Sequence, residues 1–157
     1  AVSIRYDLEA ALPLIKAGSA ELGQVVDSIV SNAVEALGHG EPGPIKIRTS
    51  LCELSARDIQ RFYPDWQLAP GAYVRLEVTD TGSGIPDEIV ARVFDPFFTT
   101  KFVGRGLGLS AVQGIVRAHG GAIRLDSTLH HGTRVELLFP THATEAALQV
   151  SDATIRA

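Results

Sequence analysis

Methionine is absent from the 157 residues, and cysteine occurs once, as Cys52. A chain that lacks methionine and begins at Ala1 reads as a segment whose native start lies elsewhere. One cysteine excludes an internal disulfide and a thiolate metal cluster, and fits a reducing, cytoplasmic setting. No apolar run approaches the ~20 residues of a membrane span, and no signal-peptide pattern is visible. A membrane anchor elsewhere in the parent protein stays open. The chain also lacks a basic block: its formal charge of −4 comes from interspersed signs, which argues against nucleic acid as a partner. His39, His119, His130, His131 and His142 show no metal-ligand spacing, and no Ser-His-Asp order or nucleophile elbow occurs. With no Gly-Lys pair anywhere, a P-loop is excluded as well.

What remains is a globular composition, 45% hydrophobic and 20% charged, long enough for one domain with a proper core. Leu22, Val25, Val26, Ile29, Val30, Ala33 and Leu37 recur at helical spacing, so residues 19–38 are predicted helical, ended by Gly38 and Gly40. Residues 2–8 read as an edge strand. Ile45, Ile47 and Leu51 alternate with polar residues, as do Val74, Leu76 and Val78, giving two half-buried strands in antiparallel pairing. Between them, residues 53–73 form a polar connection with room for a short helical turn opened by Ser55. A helix is expected to start at Pro86, and another to span 109–119 before Gly120 and Gly121. Strands at 122–127 and 133–139 close the set. The expected architecture is a two-layer α/β sandwich: a mixed, mostly antiparallel sheet with helices on one face. Residues 1–140 form the domain, and 141–157 read as a linker or frayed tail.

Three stretches carry chemistry. In VTDTGSGIPDEI (78–89), Asp80 is in phase with Val74, Leu76 and Val78 and points to the buried face. Two readings of that carboxylate stand side by side: a cap on the following turn, or a hydrogen-bond acceptor for a ligand amino group such as that of adenine. Gly82 and Gly84 favour the second, because a flat ligand can approach backbone that carries no Cβ. On the first helix, Glu21, Ser28, Asn32 and Glu35 lie along one flank of the apolar stripe, with Asn32 half-buried beside it. Its carbonyl can ligate a hard cation such as Mg²⁺, or simply bond nearby backbone. In KFVGRGLGLSAV (101–112), Gly104, Gly106 and Gly108 precede a helix whose free amides suit phosphate, and Lys101 and Arg105 add positive charge. The dinucleotide fingerprint fails there, since position 109 is Leu. Phe94, Phe97 and Phe98 read as loop anchors, and Cys52 as a packing residue.

Together, SNAVEAL (31–37), DTGSGI (80–85), FDPFFTTK (94–101), GRGLGL (104–109) and HGTRVELLFP (131–140) resemble, in order, the N, G1, F, G2 and Gly-Thr motifs of the catalytic ATP-binding domain of sensor histidine kinases. This domain belongs to the superfamily shared with DNA gyrase and MutL. The resemblance covers about residues 2–140 and is strongest to nitrogen-regulator-type and hybrid kinases. It implies that Asp80 holds the adenine amino group, that Gly82, Gly84 and Ile85 shape the base pocket, and that Thr133 supports adenine through water. Asn32 would ligand Mg²⁺, with Glu35 and Ala36 beside it at the nucleotide. Lys101 and the run Gly104, Arg105, Gly106, Leu107, Gly108 and Leu109 would form the lid over the triphosphate. Catalytic roles would fall to Asn32 and Lys101. Two departures from the pattern are Ser28, where these kinases often carry Asn, and a shorter glycine lid.

The resemblance further implies cofactors ATP and Mg²⁺, and two partner domains. One is a dimerisation domain bearing the phosphoacceptor histidine, absent from this sequence. The other is a response-regulator receiver domain, which the parent could carry downstream. The expected reaction is transfer of the ATP γ-phosphoryl group to that histidine. Competing readings are a protein serine kinase of the anti-sigma type, an ATPase clamp like gyrase, and a nucleotide-sensing module without transfer activity.

Overall fold

The computed structural model describes residues 2–38, 43–95 and 108–147. Five strands form one sheet in the order β1-β2-β3-β5-β4: β1 (Ser3–Leu8), β2 (Pro44–Leu54), β3 (Gly71–Asp80), β4 (Ala122–Thr128) and β5 (Gly132–Pro140). β1 runs parallel to β2 at the sheet edge, joined through the crossover helix α1 (Ser19–Gly38), as parallel neighbours require. Every other pairing is antiparallel, so the sheet is mixed, as expected.

α1 sits on the sheet because its stripe matches the strand phase. Val25, Ile29, Ala33 and Leu37 are buried against Ile45 and Ile47 of β2, Val78 of β3 and Val135, Leu137 and Phe139 of β5. Each fully buried aliphatic side chain contributes ~1.5–3 kcal/mol, so this face dominates stability. Helix α4 (Leu109–Ala118) adds Val112 and Val116 to the same core.

The opposite face is not bare. Leu54, Tyr73, Ala122 and Leu138 alternate out of phase with the main core and pack with Ile59 and Tyr63, around the short helix α2 (Ala56–Phe62). The turn expected at Ser55 is therefore a helix with a capping box, in which Ser55 and Asp58 exchange side-chain and backbone hydrogen bonds. Trp66 touches both clusters and lies under the Arg117 guanidinium of α4 at 4.2 Å. Beyond α2 this face is charged. Glu136 is buried, accepting from the Tyr63 hydroxyl and, at 2.8 Å, from Arg134. Loss of hydration, and then the bond to Glu136, push the Tyr63 phenol well above its usual range. Cys52 packs half-buried, its Sγ accepting from Arg75 at 2.9 Å, and burial raises its thiol.

Two elements differ from the sequence expectation. The helix after the glycine turn, α3 (Asp87–Val90), lasts one turn, with Pro86 as its N-cap rather than its first residue. Beyond it, Arg92, Val93 and Asp95 donate to carbonyls three residues back, so the chain tightens out of the α form. Beyond Pro140 the chain does not fray at once. Residues 142–147 are helical, and Thr141 and Thr144 are buried. Thr144 Oγ1 accepts from Ala72 N–H at 3.0 Å and donates to Ala72 O at 2.9 Å, closing the open start of β3. A single threonine hydroxyl satisfying both backbone groups at a strand end leaves no hydrophobic period in the sequence to detect. Residues 148–157 lie outside the described part.

Candidate functional site

The site gathers where β3 ends. Asp80 is 6% exposed and faces the helix side, in the phase read from the sequence. Its Oδ1 accepts from Gly82 N–H at 2.9 Å, and the Thr133 amide also supports the carboxylate. The turn-capping reading is thus realised, but a carboxylate has about four lone-pair sites and this leaves it capacity for a ligand. Burial pushes the Asp80 carboxyl above its usual range, and the two amides pull it part of the way back.

The glycines beyond it serve the protein's own backbone. A Cβ on Gly82 would lie 2.7 Å from the carbonyl of Ala36 on α1, and one on Gly84, at φ +68, would lie 2.0 Å from Thr128 O. The direction a side chain would take is therefore filled by protein, not kept open for a flat ligand. This corrects the reason given to these glycines. Any shaping of a base pocket by Gly82, Gly84 and Ile85 runs through the turn they build.

That turn is clamped from three sides. Ser83 N–H donates to Ala36 O at 3.3 Å, and Ser83 O accepts from His130 N–H at 2.6 Å. Ile85 N–H donates to Ser127 Oγ at 2.8 Å. His130 holds φ 65 to make its contact, and Gly132, at φ +103, lies where a Cβ would strike Asp80 O at 2.0 Å.

Thr133 pairs with Asp80 across β5–β3 and with Ser127 across β5–β4. One polar row, Asp80–Thr133–Ser127, therefore crosses three strands on the helix face. Ser127 was missed as a site residue. Its phase with Ile123 and Leu125 was available in the sequence, but its partner Ile85 lies in another element.

On α1, Ser28, Asn32 and Ala36 fall at successive i, i+4 positions and share one line of the helix. Ala36 touches the Gly82 turn, so Asn32 lies one helical turn back on the same side, half-buried as expected; Glu35 is also half-buried. Ser28, one turn further, is buried. Gly108 is the N-cap of α4, with extended backbone and, being glycine, no side chain of its own to cap the first turn, and Leu109 opens the helix half-buried. The structure thus brings together Ala36, Asp80, Gly82, Gly84, Ile85 and Thr133. Lys101, Gly104, Arg105, Gly106 and Leu107 lie outside the described residues, as do Phe97 and Phe98. Phe94 packs on the main core as an anchor.

A mixed sheet under two helices, with an inward carboxylate at a central strand end held by a glycine turn, defines a nucleotide-binding α/β sandwich of the ATPase and kinase class. The chain belongs to the family of histidine kinase-, DNA gyrase B-, and HSP90-like ATPases, whose model matches residues 17–143.

Its relatives include the sensor kinase CckA of Brucella abortus, 40% identical over 129 residues that make up 80% of this chain and 13% of that one. The sensory histidine kinase/phosphatase NtrB of Rhizobium meliloti is 33% identical over 153 residues, 93% of this chain and 36% of that protein. The chain thus spans about a third or less of these relatives. Among solved structures, the catalytic domain of the histidine kinase ThkA superposes with a TM-score of 0.65 at 29% identity, covering 89% of this chain and 79% of that one. The mycobacterial sensor histidine kinase MprB gives 0.63 at 26%, covering 89% and 82%.

Proposed function

We propose that this chain is the ATP-binding catalytic domain of a two-component sensor histidine kinase, which presents the γ-phosphoryl group of ATP to a histidine on a separate dimerisation domain. The observation that carries the reading is Asp80, a buried carboxylate with unused acceptor capacity, set beside Thr133 at the end of a central strand. The sensor kinases among its relatives favour this over a serine kinase or an ATPase clamp.

In this reading Asp80 accepts from the adenine amino group, while the clamped turn and Ile85 fix the base. The first turn of α4, whose N-cap Gly108 has no side chain to occupy its amides, and the glycines before it, with Lys101 and Arg105, receive the phosphates. Among the described residues, no group of three or more His, Cys, Asp or Glu could hold a metal. The half-buried Asn32 carbonyl fits a Mg²⁺ that keeps most of its ligands from phosphate and water. Bound so, the ion would neutralise phosphate charge. The chain's own part is positioning: Asp80 and Asn32 fix the two ends of the nucleotide so that a histidine nitrogen attacks the γ-phosphorus in line and ADP leaves. Downstream, a response-regulator receiver domain would take the phosphoryl group from that histidine. We place this work in the cytoplasm; among the described residues no helix is long and apolar enough to cross a membrane, and attachment of the parent would reside elsewhere.

Calorimetry with ATP tests the site. Asp80→Asn should weaken binding about tenfold or more, the scale of a hydrogen bond to a charged group, with the domain still folded. Equal affinity in the variant would remove Asp80 from the site.

A further inference from the structure

β1 is an open edge of the sheet: among the described residues it pairs with β2 alone, and all six of its residues are exposed. Ile4 and Tyr6 lie beside Ile45 and Ile47, whose side chains are buried in the main core, so Ile4, Tyr6 and Leu8 share the helix face. There the apolar row stands in solvent, with Tyr6 65% and Leu8 58% exposed. Between them, Arg5 and Asp7 point to the opposite face. Asp7 reaches Arg48 at 3.5 Å, whereas Arg5 has no anionic partner among the described residues and sits beside Lys46, a like charge. An edge with unpaired backbone groups is commonly guarded against a copy of itself by charges of one sign, a proline or a bulge. This edge carries none of these. Its register with β2 is continuous from Ser3 to Leu8, it has no proline, and its two charges are opposite in sign.

We infer that β1 is a self-association edge, on which a second copy of this chain docks antiparallel about a two-fold axis at Tyr6. Residues opposite each other in an antiparallel pair share a face, so only registers that set even positions against even ones keep the apolar rows together. Centring on Arg5 sets that residue against Arg5 of the copy, and centring on Asp7 sets Asp7 against Asp7, like charges in both cases. Centring on either strand end pairs fewer residues. Centring on Tyr6 sets Arg5 against Asp7 of the copy, twice by symmetry, with Ile4 against Leu8 and the two Tyr6 rings together. The incoming carboxylate would also relieve the contact between Arg5 and Lys46. Ser3 and Asp80 lie at one end of the sheet, so the antiparallel contact turns the two candidate sites to opposite ends and covers neither. Six residues a side are far fewer than the ~20–30 of a stable interface, so the free chain pairs weakly and reversibly.

The experiment is sedimentation equilibrium on the full 157-residue chain, from about 10 µM to about 1 mM, a span that brackets weak association. The wild type should pass from one chain to two as concentration rises. Arg5→Asp alone and Asp7→Arg alone each set like charges together at both symmetry-related contacts, and each should weaken pairing about tenfold or more. Mixing the two variants should restore it, because one strand then carries two negative charges and the other two positive ones. The double variant, Arg5→Asp with Asp7→Arg, should pair with itself as the wild type does. Tyr6→Lys, which places two cations on the axis, should abolish pairing. All three positions are exposed, so every variant should keep the wild-type circular dichroism spectrum. A wild-type chain that stays single at the highest concentration overturns the proposal and leaves the edge to a strand of another protein. Mass growing past two chains overturns it too, since β1 would then be meeting β4, the other edge of the sheet. So do single variants that pair as the wild type does, or a mixture of the two that stays single.

Discussion

Asp80 shows what a single side chain at this site costs and provides. Burial raises its folded-state pKa above the unfolded value of ~3.9. Between those two values the folded chain holds more protons than the unfolded one, so nucleotide-free stability declines as pH rises through that window. Asp80→Asn removes this slope. Urea titrations from acid to neutral pH should show the wild type losing ground to the variant as pH rises through the window, even though the variant binds ATP poorly. Parallel pH curves would mean Asp80 titrates alike in both states. The direction of Asp80 was legible because strand phase is local: Val74, Leu76 and Val78 fix it. The reason for Gly82 and Gly84 was not legible, since the atoms that forbid a Cβ there belong to Ala36 and Thr128, each in another element. Asn32 stood out as half-buried for the same local reason as Asp80, by its place on the flank of a periodic stripe.

Among the elements, those with a strong hydrophobic period were legible and those held by polar backbone contacts were not. α1 was read over its full length because Val25, Ile29, Ala33 and Leu37 repeat at helical spacing. The strands followed from alternation, and β3–β5 pairing then placed Thr133 opposite Asp80. Residues 142–147 carried no such signal, although Thr144 bonds both backbone groups of Ala72. Thr144→Val, which keeps the shape and removes both bonds, should lower unfolding stability by about 1–3 kcal/mol, read as a shift in the urea midpoint. ATP affinity should hold, because Ala72 and Asp80 lie at opposite ends of β3. A loss of affinity equal to that of Asp80→Asn would show that the two ends of the strand are coupled. The short helix α3 is present as expected, with Pro86 shifted to the N-cap, and it stops after one turn because the later amides of PDEIVARVF donate three residues back.

For the molecule as a whole, the line Ser28–Asn32–Ala36 bears on the fate of ATP. A general base one turn before Asn32 would activate water, and Ser28 offers a neutral hydroxyl there that is poorly suited to the task. The chain alone should therefore hydrolyse labelled ATP slowly, and label should appear on the histidine of the parent's dimerisation domain when that domain is added. Fast phosphate release by the chain alone would contradict the kinase reading. The sheet that supports this chemistry also has a mechanical sense. Ser3 stands at the same end of the sheet as Asp80, since Arg5 pairs with Lys46 and Lys46 with Thr79, whereas β5 finishes at the other end, where Pro140 meets Tyr73. A tension applied through residues 3 and 147 would run along β1 and β5 rather than across them. It would load each ladder in shear, all its bonds together, instead of unzipping them one by one from a free end.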